Sequence, residues 1–230
     1  MKIAQHPSPN CGERRLGAKP DLIVIHYTAM ADCRGALDWL CDPTSEVSAH
    51  YLITTFGHAT QMVDEKDRAW HAGAGAWGGC EDVNSRSIGI ELSNDGYSPF
   101  AAAQINALED LLVAIMTRWS IPAERVIGHS DMAGSRKIDP GPRFDWRRLA
   151  RNGLSVWPEP REAQAAMDMN EFCQYAEQFG YPVSGDAAQV LDVFRMRFFP
   201  RKTGDLDTAD MAAMVDLANR FPVDRAGNQA

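Results

Sequence analysis

The longest apolar run with strand character is Leu22-Ile-Val-Ile25, which continues into His26-Tyr27-Thr28. It is β-branched and continuously apolar, so it predicts a buried strand over 22–28. Asp32 is placed to cap a short helix carrying Ala36, Leu37, Trp39 and Leu40, and Pro43 lies just past its end. Residues 49–56 and 58–63 flank Gly57 and predict a hairpin. The segments Trp70-His71-Ala-Gly and Trp77-Gly-Gly are glycine-rich loops. Residues 87–93 read as a second strand. Within it Ser87, Gly89 and Glu91 share one face, Ile88, Ile90 and Leu92 the other, and Gly89 marks a close backbone approach or a kink. Ser98-Pro99 opens a helix whose Ile105, Leu108, Leu112, Ile115 and Trp119 recur at spacings of three and four. A short strand follows at 125–129, then a stretch over 130–148 that reads mostly as loop. This order predicts an α/β fold, a mixed β-sheet flanked by helices.

Beyond Trp157-Pro-Glu-Pro-Arg-Glu, which reads as a linker, the pattern becomes helical over roughly 168–179, 187–199 and 208–220. The predicted organisation is a domain over 1–158 and a small three-helix domain over 159–230. A length of 230 residues admits that arrangement but not two large domains. No stretch is long and apolar enough to span a membrane. The net charge of −8 is spread over both parts, with 16 basic and 19 acidic side chains over residues 1–158 and 7 and 12 over residues 159–230. This argues against non-specific nucleic-acid binding and against an anionic membrane surface. The five cysteines are odd in number and show no framework spacing. The N-terminal segment shows neither a secretory core nor an apolar run around Cys11. The compartment expected from both features is the reducing cytoplasm.

Three positions combine a metal-type ligand with a strand end or a stiff loop. His26 follows Leu-Ile-Val-Ile, His129 follows Val-Ile-Gly, and Asp139 precedes Pro-Gly-Pro. Ligands gather at strand ends in open sheets. Two imidazoles and a carboxylate suit zinc and leave one position open for water. Each histidine taken alone reads more readily as a satisfied core residue. Glu91 on a central strand would have the raised pKa of a proton shuttle, and on an edge strand it would simply face solvent. Lys137 lies two residues before Asp139, so an extended loop points both to one side, where a lysine can stabilise an oxyanion. A solvated loop lysine is the other reading. His50 and His71 lie beside small residues, and His6 and His58 read as surface residues.

Taken in order, His-Tyr-Thr-Ala (26–29), Val-Ser-Ala-His-Tyr-Leu-Ile (47–53), Trp-His-Ala-Gly (70–73), Asn-Ser-Arg-Ser-Ile-Gly-Ile-Glu-Leu (84–92) and Gly-His-Ser-Asp…Arg-Lys-Ile-Asp-Pro-Gly-Pro (128–142) resemble the zinc-dependent N-acetylmuramoyl-L-alanine amidases of the AmpD/AmiD type. The resemblance covers about residues 20–158. It implies a mixed α/β amidase fold, related to that of peptidoglycan-recognition proteins, with one zinc per chain. His26, His129 and Asp139 would be the metal ligands, and Glu91 and Lys137 the catalytic pair. His50, Trp70, His71 and Asn84 would line the groove for a muropeptide or peptidoglycan substrate. The phage-lysozyme branch places a tyrosine where this chain has Ala49 and tends to use cysteine where it has Asp139, which disfavours a Tyr/Lys mechanism.

The helical tail, with Phe179-Gly-Tyr-Pro182 and Gly204-Asp-Leu-Asp-Thr208, is similar to three-helix peptidoglycan-binding domains. A structural cap on the catalytic part is the alternative. The activity implied is hydrolysis of the amide between the lactyl group of muramic or 1,6-anhydromuramic acid and L-alanine, in cell-wall recycling. A non-catalytic recognition module and a phage endolysin are the rival readings.

Overall fold

A computed structural model of the chain describes residues 2–159, 167–183 and 185–223. The elements run β1 (Ile3–Gln5), β2 (Cys11–Gly12), β3 (Leu22–Tyr27), α1 (Cys33–Cys41), β4 (Tyr51–Ile53), β5 (Ala59–Gln61), β6 (Arg68–Ala69), α2 (Val83–Arg86), β7 (Ser87–Leu92), α3 (Ala102–Trp119), β8 (Val126–Gly128), α4 (His129–Ala133), α5 (Trp146–Arg151), α6 (Met169–Phe179), α7 (Ala187–Phe198) and α8 (Thr208–Arg220). The main sheet has the order β1-β5-β4-β7-β3-β8. Only the β4–β5 hairpin pairs antiparallel; β1 with β5, β4 with β7, and β3 with both β7 and β8 are parallel. β2 and β6 form a separate antiparallel pair.

The alternation along β3 and β7 decides what each sheet face meets. Ile23, Ile25, Ile88 and Ile90 turn to one side and pack on Leu108, Leu111, Leu112 and Ile115 of α3 and on Leu149 of α5. Each such side chain, fully buried, contributes about 1.5–3 kcal/mol. Leu22 and Val24 turn the other way, into a second core with Ile127, Phe172, Phe179, Phe194 and Phe198. The three C-terminal helices therefore share a core with the sheet. The boundary between Trp157 and the helical unit is a boundary in sequence pattern, and residues 160–166 of the expected linker lie outside the described residues.

Several sequence expectations shift. The helix expected from Ser98-Pro99 starts at Ala102. Ser98 instead closes a turn built by Asp95, whose carboxylate accepts the backbone N–H of Tyr97 and Ser98 and the Ser98 hydroxyl. The stretch 130–148, expected as loop, contains all but the first residue of α4 and the start of α5. Asp145 accepts the Arg148 N–H at the start of α5. Asp145 directly ahead of Trp146 and Leu149, a pair spaced by three, is a legible capping signal, masked by the neighbouring prolines. The hairpin is shorter than 49–56 and 58–63 suggest.

The helical tail matches its pattern. α6, α7 and α8 are capped by Asp168, Asp186 and Asp207. The Gly204-Asp205 turn is held by Arg195, which donates to both carbonyls and pairs with the fully buried Asp210 at 2.5 Å. A second buried ion pair joins the tail to the sheet. Arg197 of α7 donates to Asp131 Oδ2 at 2.6 Å, to the Val126 carbonyl and to Ser155 Oγ, and its guanidinium stacks 4.3 Å over Trp146. Tyr181 donates to the other Asp131 oxygen at 3.0 Å. Asp131 also accepts the Gly128 N–H at the end of β8.

Removing one partner of a buried ion pair leaves the other charge uncompensated. Arg197→Ala should therefore lower folding stability by about 3–5 kcal/mol. Tyr181→Phe, which removes one neutral donor, should cost about 1–3 kcal/mol. Urea unfolding of the full chain followed by far-UV circular dichroism measures both. An Arg197→Ala transition at the wild-type midpoint would contradict the account.

Candidate active site

Parallel pairing of β3 and β7 sets His26 directly opposite Glu91. Pairing of β3 with β8 sets Ile25 opposite Gly128, so His129, the next residue, begins α4 beside His26. Asp139 returns to this edge because the Ser130 N–H donates to its carbonyl at 2.9 Å. Gly128 is required there, since a Cβ would lie 2.8 Å from the Pro140 ring. The structure thus brings together His26, His129, Asp139 and Glu91, and Lys137 lines the same groove.

His26 Nδ1 is 3.0 Å from His129 Nδ1 and 2.9 Å from Asp139 Oδ2, and His129 Nδ1 is 3.0 Å from that same oxygen. His129 Nε2 lies 2.9 Å from the Ala72 carbonyl, which can only accept. Its proton is therefore on Nε2, and a lone pair points into the triangle. Burial lowers the His26 pKa to about 4, so that ring is neutral. Three edges of 2.9–3.0 Å leave a point at the ordinary zinc distance of about 2.0–2.1 Å from all three atoms. A converging carboxylate oxygen and imidazole lone pairs make an unfavourable cluster unless a cation is held among them. The donor set and spacing fit zinc.

Glu91 occupies an interior strand, so the edge-strand reading falls. Its Oε2 is buried and has no hydrogen-bond partner. Burial first, and the Asp139 charge second, raise its pKa to about 8 against the opposing influence of Lys137. An orphaned buried carboxylate is rare in a folded protein and points to a functional role. Around it opens a groove of about 550 Å³ walled by Tyr27, Met30, Trp39, Trp70 and Ile138. The apolar spacing of α1 includes Trp39, yet it is 53% exposed. The helix buries Ala36 and Leu40, and Trp39 lies off that stripe, facing the groove.

The expected groove residues divide. Trp70 lines the groove, half-buried. His50 does not reach it. It is fully buried, accepts the Gly89 N–H on Nδ1 at 3.0 Å and reaches the Asp67 carbonyl with Nε2. Burial, with the Arg14 charge beside it, lowers its pKa to about 3. Asn84 is also buried, and its side-chain oxygen accepts the backbone N–H of His71 and Ala72. His71 borders the groove, but both its ring nitrogens are engaged from behind, at His26 and Ser87. Sequence reasoning missed Ser87 in this role, and Arg14, whose buried guanidinium donates to the carbonyls of Glu65, Asn84, Ser85 and Ser87. An arginine in a loop gives no local signal of such a cage. His6 and His58 are exposed as expected.

The chain is similar to known proteins over most of its length. The family described as N-acetylmuramoyl-L-alanine amidase (Amidase_2) matches residues 16–142. The N-acetylmuramoyl-L-alanine amidase AmiD of Escherichia coli (strain K12) is 34% identical over 234 residues, covering 88% of this chain and 84% of its own. The 1,6-anhydro-N-acetylmuramyl-L-alanine amidase AmpD of Haemophilus influenzae is 38% identical over 162 residues, covering 63% of this chain and 88% of its own. The solved structure of E. coli AmiD with the substrate anhydro-N-acetylmuramic acid-L-Ala-D-γ-Glu-L-Lys superposes with a TM-score of 0.80 at 33% identity, over 96% of this chain and 93% of that one.

The raised Glu91 pKa has a consequence for the metal-free chain. Between the unfolded value of about 4.3 and the folded value of about 8, the unfolded chain gives up a proton that the folded chain keeps. This contribution therefore makes stability fall as pH rises through that window. Glu91→Gln removes it. The metal-free variant should be more stable than metal-free wild type at pH 7–8, with the difference vanishing near pH 4. Thermal unfolding in chelator across that range is the measurement. A difference independent of pH would contradict the assignment.

Proposed function

The chain belongs to the N-acetylmuramoyl-L-alanine amidase family, and from that premise we propose that it hydrolyses the amide joining the lactyl group of anhydro-N-acetylmuramic acid to L-alanine. The observation that carries the reading is the partnerless Glu91 carboxylate beside the His26–His129–Asp139 triangle. One zinc per chain would be held by those three residues. When bound, it supplies a Lewis acid for the scissile carbonyl and makes water a stronger acid.

The chain's own groups supply the rest. Glu91 has no hydrogen bond to break and is made more basic than an ordinary carboxylate by burial, so it is poised to take the proton of the attacking water. The same carboxyl then protonates the alanine nitrogen as the C–N bond breaks. The products are a lactyl carboxylic acid and a free amino terminus. Lys137, exposed on the groove wall, offers its ammonium to the oxyanion that forms at the carbonyl oxygen. Trp39 and Trp70 present apolar faces to the sugar and the alanine methyl.

The division into a catalytic part over 1–158 and a helical part over 159–230 is retained, with the helical part as a structural cap. Its shared core and the Arg197–Asp131 pair support that role over a free wall-binding module. A capped enzyme suits soluble muropeptides, as in cell-wall recycling. The five unpaired cysteines suit a reducing, cytoplasmic setting. No helix among the described residues is long and apolar enough to cross a membrane.

His129→Ala should lose zinc and activity together. Glu91→Gln should keep zinc and lose ~10²–10⁴-fold in turnover. Lys137→Ala should keep zinc and lose ~10²–10³-fold. Zinc content by elemental analysis, together with release of free L-alanine amino termini from anhydro-muropeptides and from intact sacculi, tests each statement. Cleavage of sacculi alone would redirect the substrate assignment to the polymer.

A further inference from the structure

Residues 71 and 72 stand behind both histidines of the triangle. His71 Nδ1 lies 3.0 Å from His26 Nε2, and the Ala72 carbonyl lies 2.9 Å from His129 Nε2. The backbone that carries them is pinned at two successive N–H groups, both donating to Asn84 Oδ1, at 3.0 and 2.9 Å. Gly89 provides the seat for the His71 ring. A Cβ at that position would lie 2.5–2.7 Å from three ring atoms. A glycine inside a parallel strand is otherwise a loss of packing and order, so its presence here has a local reason.

Proton positions in this chain of contacts follow from what each partner can do. The Val83 carbonyl only accepts, and Ser87 Oγ lies 2.6 Å from it, so the single hydroxyl proton is spent there. Ser87 Oγ must then accept from His71 Nε2 at 3.2 Å, which places the His71 proton on Nε2. The partners of the His71 ring nitrogens are a hydroxyl and another imidazole, with no carboxylate to balance a buried imidazolium. The ring is neutral, so Nδ1 is a lone pair, and it accepts from His26 Nε2–H. His26 is thereby left with its own lone pair on Nδ1, aimed at His129 and Asp139. The Ala72 carbonyl does the same for His129.

We propose that the Trp-His-Ala segment is a positioning clamp, in which His71, backed by Ser87 and seated on Gly89, sets the ring orientation and tautomer of His26 while the Ala72 carbonyl sets those of His129. The role replaces the groove assignment of His71: it acts through a ligand, not on substrate. The inference rests on His26, His129 and Asp139 being the zinc ligands. Groups that orient a ligand imidazole from behind typically change metal affinity 10–100-fold when removed.

The test is zinc affinity of the full chain by competition with a chromophoric chelator. His71→Leu keeps the bulk and removes the acceptor, and it should weaken zinc binding roughly 10–100-fold. His71→Asn offers a side-chain oxygen near the Nδ1 position and should recover most of that loss. Ser87→Ala, which frees His71 to change tautomer, should weaken binding in the same direction, and it stands in if His71→Leu does not fold. Nitrogen-15 NMR of the zinc-loaded wild-type rings reads the tautomer directly and should show His71 protonated on Nε2. His71→Leu or Ser87→Ala with wild-type affinity, His71→Asn no better than His71→Leu, or a His71 proton on Nδ1 would each overturn the clamp. A wild-type chain that binds no zinc would instead overturn the ligand assignment beneath it.

Discussion

Parallel pairing of β3 between β7 and β8 carries the site. Because all three strands run the same way, their C-terminal ends lie together, and three segments far apart in sequence release their chemistry at one edge. The register matters as much as the direction. His26 opposite Glu91 places an imidazole and a carboxylate on the same face at the same height. A slip of one residue would turn one of them into the α3 core, where only apolar side chains are accommodated. The isoleucines of β3 and β7 packed against α3 enforce that register, so the apolar face of the sheet positions the polar one.

The polar face is expensive to build. His26, His50, His71 and His129 are all buried, and the rings from His50 through His71 to His26 meet edge to face with centroid separations of 5.8 and 5.1 Å. His50 and His71 have both ring nitrogens engaged, and His26 and His129 have Nε2 engaged, while the two Nδ1 atoms that converge with Asp139 are the ones a bound zinc would satisfy. Glu91 is the exception, with one oxygen left unsatisfied where the substrate would come. Arg14 stabilises the layer behind by donating to backbone carbonyls from three segments, with burial lowering its pKa to about 10. The network is thus satisfied everywhere except at the metal triangle and at Glu91, the two points where the chemistry takes place.

The C-terminal helices belong to this frame. Asp131 stands two residues after His129 on the same short helix, and its carboxylate is held from β8, from Tyr181 and from Arg197. A helix of five residues has little stability of its own. Its anchoring to α7 and to the Tyr181 segment ties the geometry of a ligand histidine to the tail. The family relationship covers the sheet region, and the long similarity to AmiD extends over the helical unit as well.

The chain sequence by itself determined the two central strands, the long amphipathic helix and the three tail helices, which are written in local terms: β-branched runs and three-and-four spacing. It also offered His26, His129 and Asp139 as candidate ligands, at strand ends and beside prolines, while the roles of Glu91 and Lys137 came from the family resemblance. Tertiary structure alone decided which histidine does what. The family resemblance assigns His50, His71 and Asn84 to the groove, yet packing buries His50 and Asn84 behind the site and engages both ring nitrogens of His71 there. His71 meets His26 across 45 residues and Ser87 across 16. Likewise Arg197 reads as a polar position on a tail helix, and only packing 66 residues away on Asp131 makes it part of the frame. Periodicity reports which face of an element is apolar; it cannot report which distant partner will satisfy a polar group, because that partner is set by the register and packing of the whole sheet.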